Sequence, residues 1–102
     1  LLIIMKEADI VRKMLTTLNS IPGVFALRTH GSAMQLRGTP DILGCAYGQF
    51  FAIEAKRDPY AQPSAAQRYV LDQFDQAGAM TFVSCDPSAQ EVVQWINSIK
   101  PS

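Results

Sequence analysis

Histidine and cysteine are scarce in this 102-residue chain: there is one histidine, His30, and two cysteines, Cys45 and Cys85. Neither their number nor their spacing makes a zinc pattern. Both cysteines stand in apolar, strand-like contexts and read as buried free thiols, which suits a reducing cytoplasm. Net charge is missing too, because 9 basic and 9 acidic residues cancel. No global basic field draws in nucleic acid, so any such contact must come from local charge. Long apolar runs are absent. The opening Leu1-Leu2-Ile3-Ile4-Met5 is too short to span a membrane or to form a signal core before Lys6 and Glu7 end it. A chain opening on Leu1 reads as a truncated start. There is no internal repeat, low-complexity tract or linker. What remains has the length of one small domain, and its 48% hydrophobic content supports a packed core rather than disorder.

The rest of the chain is organised around Gly38 to Arg57. Asp41-Ile42-Leu43 opens a short strand, Gly48-Gln49 suits a tight turn, and Phe50 to Lys56 forms a second strand. Side chains alternate across a strand, so Phe51, Ile53 and Ala55 share one apolar face that belongs in the core. Glu54 and Lys56 share the other face, and Asp41 comes beside them from the neighbouring strand. Two carboxylates offer hard oxygen ligands of the kind Mg²⁺ or Mn²⁺ prefers. A lysine next to them adds positive charge where a phosphate would react. An E-x-K triplet alone is common and usually marks a solvated ion pair. Pro-Asp with Glu54 following Asp41 by thirteen positions, across a hairpin, is far more specific.

Two helices bring further polar groups toward that hairpin. Residues 3 to 19 read as a helix. At about 100° per residue, Val11, Met14 and Leu18 fall within about 40° of Glu7, with Ile3 and Ile4 flanking it. Glu7 then lies in the middle of an apolar stripe, where a carboxylate is costly unless paired or bound to metal. If the helix starts later, Glu7 is instead a favourable acid in its first turn. Asn19 to Gly23 breaks the helix, and Val24 to Thr29 reads as a strand with Val24 to Leu27 buried. Residues 28 to 40 contain no acid. Arg28, His30 and Arg37 there form a basic rim suited to phosphates, and Ser32 and Gln35 lie in the same loop; Arg57 closes the hairpin. Ser64 is the expected N-cap of a helix to about Ala77. On that helix Gln67 is the polar outlier in line with Val70, Leu71 and Phe74, while Tyr69 faces outward. Gly78 ends it, Ala79 to Ser84 reads as a buried strand, and Asp86-Pro87-Ser88 starts a last helix with Val92, Val93, Ile96 and Ile99 inward. Trp95 is expected at the edge of the core.

Pro40-Asp41 followed by Glu54-Ala55-Lys56 resembles the PD-(D/E)xK nuclease superfamily. Gly38-Thr39-Pro40-Asp41-Ile42, with Gln67 downstream, is similar to its virus-type replication-repair branch, VRR-NUC, over roughly Glu7 to Ser84. The resemblance implies a restriction-endonuclease-like αβββαβ core, a mixed sheet flanked by helices, and an extra C-terminal helix, all in one domain over residues 1 to 102. It implies a Mg²⁺- or Mn²⁺-dependent endonuclease acting on branched, flap or junction DNA, cytoplasmic in a bacterial or phage-infected cell. Asp41, Glu54 and the backbone carbonyl of Ala55 would hold the metal. Lys56 would orient or deprotonate the water, and Gln67 would hold the geometry. Glu7 would either ligate a second metal or support the other ligands. Arg28, His30, Ser32, Arg37 and Arg57 would touch DNA, and a homodimer would supply two sites. Two other classes stay open: a nucleic-acid-binding module without activity, and a subunit silent without its partner. A sequence-specific restriction enzyme ranks lower, since no recognition insert is evident.

Overall fold

A computed structural model describes residues 5–30 and 36–102 of the chain. Its elements run α1 (Glu7–Asn19), β1 (Val24–Arg28), β2 (Ile42–Ala46), β3 (Gln49–Ala55), α2 (Ala65–Gln76), β4 (Met80–Ser84) and α3 (Gln90–Ile99). The four strands form one sheet in the order β1-β2-β3-β4. The first two pairings are antiparallel and β3 pairs β4 in parallel, so the sheet is mixed. The β2–β3 hairpin fills its centre, as expected. Its turn is Tyr47-Gly48, one residue earlier than the sequence suggests. Both residues have positive φ, 50° and 83°, the backbone twist that two-residue hairpins require.

Strand register assigns the faces. Ala26, Gly44 and Phe51 stand in one cross-strand row, as do Ile42, Ile53 and Phe82. This face is closed by α1 and α3. Ile10, Val11, Met14 and Leu18 of α1 are buried, with Val92 and Ile96 of α3. Trp95 meets Phe51 and Phe82 edge-on, at 5.8 Å between ring centroids in each case. Asn19 locks α1 to the sheet by donating to the Ala26 carbonyl (2.9 Å) and accepting its N–H (2.8 Å). The opposite face is covered by α2 over β3 and β4, where Phe74 stacks on Phe50.

Several expectations need correction. The first helix begins at Glu7, after Lys6 in an extended conformation, not at residue 3; Ile3 and Ile4 lie outside the described residues. β1 is not a buried run: Phe25 is 66% and Leu27 46% exposed, because β1 is an edge strand whose outward row is covered by no helix among the described residues. β4, the other edge, likewise exposes Met80 and Val83. Cys45 is exposed on the uncovered row and Cys85 is half-buried, so the free thiols are not both interior. Ser64 caps α2 as read, whereas α3 begins at Gln90 behind Ala89, later than Asp86-Pro87-Ser88 suggests. Ser64 accepts from the Gln67 N–H, and Asp86 accepts the N–H groups of Ser88 and Gln90 ahead of α3, which holds its carboxyl below the usual range.

Candidate active site

Three elements deliver carboxylates to one point. β3 carries Glu54 at the end of the strand buried on both faces, so its side chain is 1% exposed despite pointing to the α2 face. Asp41 stands just before β2, opposite Glu54 in the antiparallel register. The strand ladder ends there, and Asp41 Oδ2 takes the Ala55 N–H (2.8 Å) in place of a backbone carbonyl. In an extended strand the N–H and C=O of one residue point the same way, so the Ala55 carbonyl also faces Asp41. Glu7 arrives from the first turn of α1. Each of Glu7, Asp41 and Glu54 has a carboxylate oxygen within 4.8 Å of the others.

The approach to Asp41 is fixed by its loop. Gly38 has φ +85°, and a Cβ on it would lie 2.4 Å from the Ala66 carbonyl oxygen, so only glycine lets the loop press against the first turn of α2. Pro40 behind it is buried. Thr29, at the end of β1, donates its hydroxyl to the Pro40 carbonyl (2.5 Å) and its N–H to the Asp41 carbonyl (2.9 Å).

Lys56 lies on the same face as Glu54, with its side chain 12% exposed and its Nζ 3.5 Å from Glu54 Oε2. Gln67 Oε1 accepts from Lys56 Nζ (2.8 Å) and from the Ser64 N–H (2.8 Å). The glutamine therefore closes the capping box of α2 and ties the lysine to that helix. Glu54 Oε1 is buried with no hydrogen-bond partner. Its carboxyl is pushed up to about 8, first by burial and then by Asp41, against the pull of Lys56. A buried, unpartnered carboxylate oxygen facing two more carboxylates is costly without a cation. The donor set, all hard oxygens, fits a small divalent ion such as Mg²⁺ or Mn²⁺.

The basic residues are dispersed. Arg28 lies on the α1 face, lining a groove with Ala8, Asp9 and Arg12, away from the Glu54–Lys56 face. His30 and Arg37 are exposed at the two ends of the loop that leads to Asp41. Arg57 is exposed and stands 3.9 Å from Asp58. Ser32 and Gln35 lie outside the described residues. Thr29 was not among the sequence candidates, and a threonine ending a strand carries no signal for its role.

No family model and no curated protein matches the sequence. Solved structures do. One described as a VRR_NUC domain superposes with a TM-score of 0.70 at 20% identity, covering 92% of this chain and 97% of its own. This is the VRR-NUC fold. Hjc, a Holliday junction resolvase from Archaeoglobus fulgidus, is similar at a TM-score of 0.55 and 28% identity, over 72% of this chain and 61% of that one. The mixed four-stranded sheet with flanking helices is thus the restriction-endonuclease-like architecture that the motif implied. Within the VRR-NUC fold, Asp41, Glu54 and Lys56 occupy the α2-facing side at the open end of the central hairpin.

Proposed function

We propose that residues 1–102 act as one VRR-NUC-like nuclease domain that hydrolyses phosphodiester bonds in DNA with Mg²⁺ or Mn²⁺. The observation that carries this reading is the bare, buried Glu54 Oε1 within the Glu7–Asp41–Glu54 cluster, next to a fixed lysine. Asp41, Glu54 and the Ala55 carbonyl are the proposed metal ligands, with Glu7 as a further carboxylate from α1. A bound divalent ion supplies Lewis-acid stabilisation of phosphate charge and a more acidic water. Lys56 holds its ammonium beside the reacting phosphate and offsets negative charge as it grows. Gln67 keeps that ammonium in place by its hydrogen bond. Arg37 and His30, exposed at the two ends of the loop that leads to Asp41, are the proposed contacts to DNA phosphates. Arg57, Arg28 and Ser32 are the further proposed DNA contacts.

The substrate is proposed to be branched, flap or junction DNA, in line with the junction resolvase similarity. A zero net charge fits a protein that recognises local structure and does not coat duplex. A homodimer is the proposed working unit. Its interface would be the exposed side of β1 and β2 around Phe25, Leu27 and Cys45, whose side chains carry no charge and so suit a second copy better than DNA. The test is cleavage of a labelled panel (single strand, duplex, flap, fork, four-way junction) with Mg²⁺ or Mn²⁺, beside EDTA and Lys56→Ala controls. Metal-dependent cutting that the variant loses is expected. A folded, metal-binding protein that cuts none of them would point to a subunit needing a partner, and one that neither cuts nor binds metal to a binding module.

A further inference from the structure

The zero net charge is the sum of two unlike sides. Lys6, Arg12, Lys13 and Arg28, four of the 9 basic residues, stand on or against α1, and all are exposed. Asp9, the one acid of this helix besides Glu7, is ion-paired with Arg12 at 3.3 Å. Five of the 9 acids lie elsewhere: Asp58, Asp86 and Glu91 around a cavity beside Lys56, and Asp72 and Asp75 on α2. The basic side also offers a track. One groove runs between α1 and the end of β1, lined among others by Ala8, Arg12, Thr16 and Arg28. A second runs between α1 and the turn before α3, where Lys13, Thr17, Pro87 and Ser88 join it. Arg12 and Thr16 are the wall common to both. The first groove begins at the carboxylates: Ala8 follows Glu7, and Arg28 pairs across the sheet with Ile42, which follows Asp41.

We propose that this side of α1 carries a double-helical arm of the branched DNA and holds its phosphates about two to four nucleotides from the incision. The inference rests on the nuclease reading and deepens it, since it assigns the side of the site by which the duplex leaves. An α-helix rises about 1.5 Å per residue, so Arg12 and Thr16 lie about 7.5 Å and about 13.5 Å beyond Glu7 along the axis. One strand of duplex advances about 3.4 Å per nucleotide, which sets those phosphates against these side chains. No lining residue of either groove is aromatic, so a single strand finds no ring on which to stack its bases. Duplex needs only phosphate contacts, from the basic side chains and from hydroxyls such as those of Thr16 and Ser88. The pair with Asp9 leaves Arg12 available: its side chain is 66% exposed, and an exposed ion pair of this kind is weak. Asp86, next to Pro87 of the second groove, is already engaged by the N–H groups of Ser88 and Gln90.

The experiment is anisotropy titration of labelled flap and four-way-junction DNA in EDTA over a salt series. The proteins are wild type, Arg12→Gln combined with Lys13→Gln, Arg28→Gln, and Arg68→Gln as a control that removes one charge from α2. Plots of log affinity against log salt should be shallower by about two for the double variant and by about one for Arg28→Gln. Arg68→Gln should leave the slope as it is. A neutral methylphosphonate moved singly along the arm should weaken wild-type binding at one short run of phosphates and weaken the double variant no further. Replacing the duplex arm with single strand should erase the difference between wild type and the double variant. All the substituted side chains are exposed, so melting curves should superpose. A flat methylphosphonate scan, no binding by the wild type, or an equal change of slope with Arg68→Gln would overturn the arm site, and cleavage with metal would still test the nuclease reading by itself. The expected slopes from a protein that cuts nothing would keep the arm site and remove the nuclease reading.

Discussion

β1 and β3 carry similar apolar strings, Val24-Phe25-Ala26-Leu27 and Phe50-Phe51-Ala52-Ile53, yet their fates differ. Every residue of β3 from Phe51 to Ala55 is 1% exposed or less, whereas only Ala26 of β1 is buried. Among the described residues, β3 has a strand on each side and helices over both faces, whereas β1 has one neighbouring strand and a helix on one face. Burial is therefore a property of place in the sheet, and hydropathy alone does not reveal it. The difference has a chemical consequence. An E-x-K on an edge strand would be a solvated ion pair, while on β3 it becomes a desolvated carboxylate beside a restrained ammonium.

The sharpest way to break this comparison is at Glu54. Glu54→Ala is expected to lower turnover at least about a thousandfold, since a metal supplies several kcal/mol to the transition state. Titration calorimetry should show divalent-ion affinity lost as well. Lys56→Ala should lower turnover with metal affinity largely kept; an equal loss of both would mean that the lysine only shapes the metal site. Next comes packing. Phe51→Ala should cost about 3–5 kcal/mol in chemical denaturation, but Phe25→Ala less than about 1 kcal/mol. Equal costs would show that β1 is buried in solution.

The raised Glu54 carboxyl gives a pH signature. With an ordinary value of 4.5 and a folded value of about 8, the native metal-free chain binds more protons than the unfolded chain between those limits. Stability from this group is full below about 4.5 and falls as pH rises toward 8. The melting temperature without metal should therefore drop across that window, and Glu54→Gln should flatten the drop. Metal binding should release protons in the same range, because the ion displaces them from the site. A melting temperature that rises through this window, with a variant of the same slope, would contradict a buried protonated Glu54.

The chemistry of the site was legible because it is local. Asp41, Glu54 and Lys56 follow from alternation along one hairpin. Glu7 was legible as a residue of interest for a reason that needs revising. The apolar Ile3 and Ile4 extend the helical period backwards, but Lys6 is extended and the helix starts at Glu7. The carboxylate reaches the cluster from an exposed first turn, not from a buried stripe. Gln67 carried two signals. Its wheel position marks it as an outlier, and Ser64-x-x-Gln67 is a capping box. Its bond to Lys56 depends on how α2 approaches β3, which no local pattern encodes. Thr29 was invisible for the same reason, as its two bonds to Pro40 and Asp41 join segments eleven or more residues apart. Thr29→Val should weaken metal binding by roughly tenfold, the worth of about one hydrogen bond, with Thr29→Ser restoring it. Unchanged affinity would remove Thr29 from the positioning of Asp41.

The smallest expected effect on the fold, and the one that tests the bare row of β1 and β2, belongs to Phe25. Its ring is mostly exposed, so Phe25→Ser should move the stability of an isolated chain by no more than about 0.5 kcal/mol. If the row is where two copies meet, the same change deletes one anchor from each side of a two-fold interface and is felt twice. Sedimentation at micromolar concentration should then show a dimer for wild type and a monomer for Phe25→Ser combined with Leu27→Ser, with little change in the monomer's melting curve. A wild type that stays monomeric would leave the row without an occupant of this kind. A dimer that survives both substitutions would place the interface elsewhere. Because the carboxylate cluster draws only on α1, β2 and β3 of one chain, a monomeric variant should still cut a flap. Only a four-way junction, which needs two incisions at once, should lose paired cleavage. Row and site would then be separable.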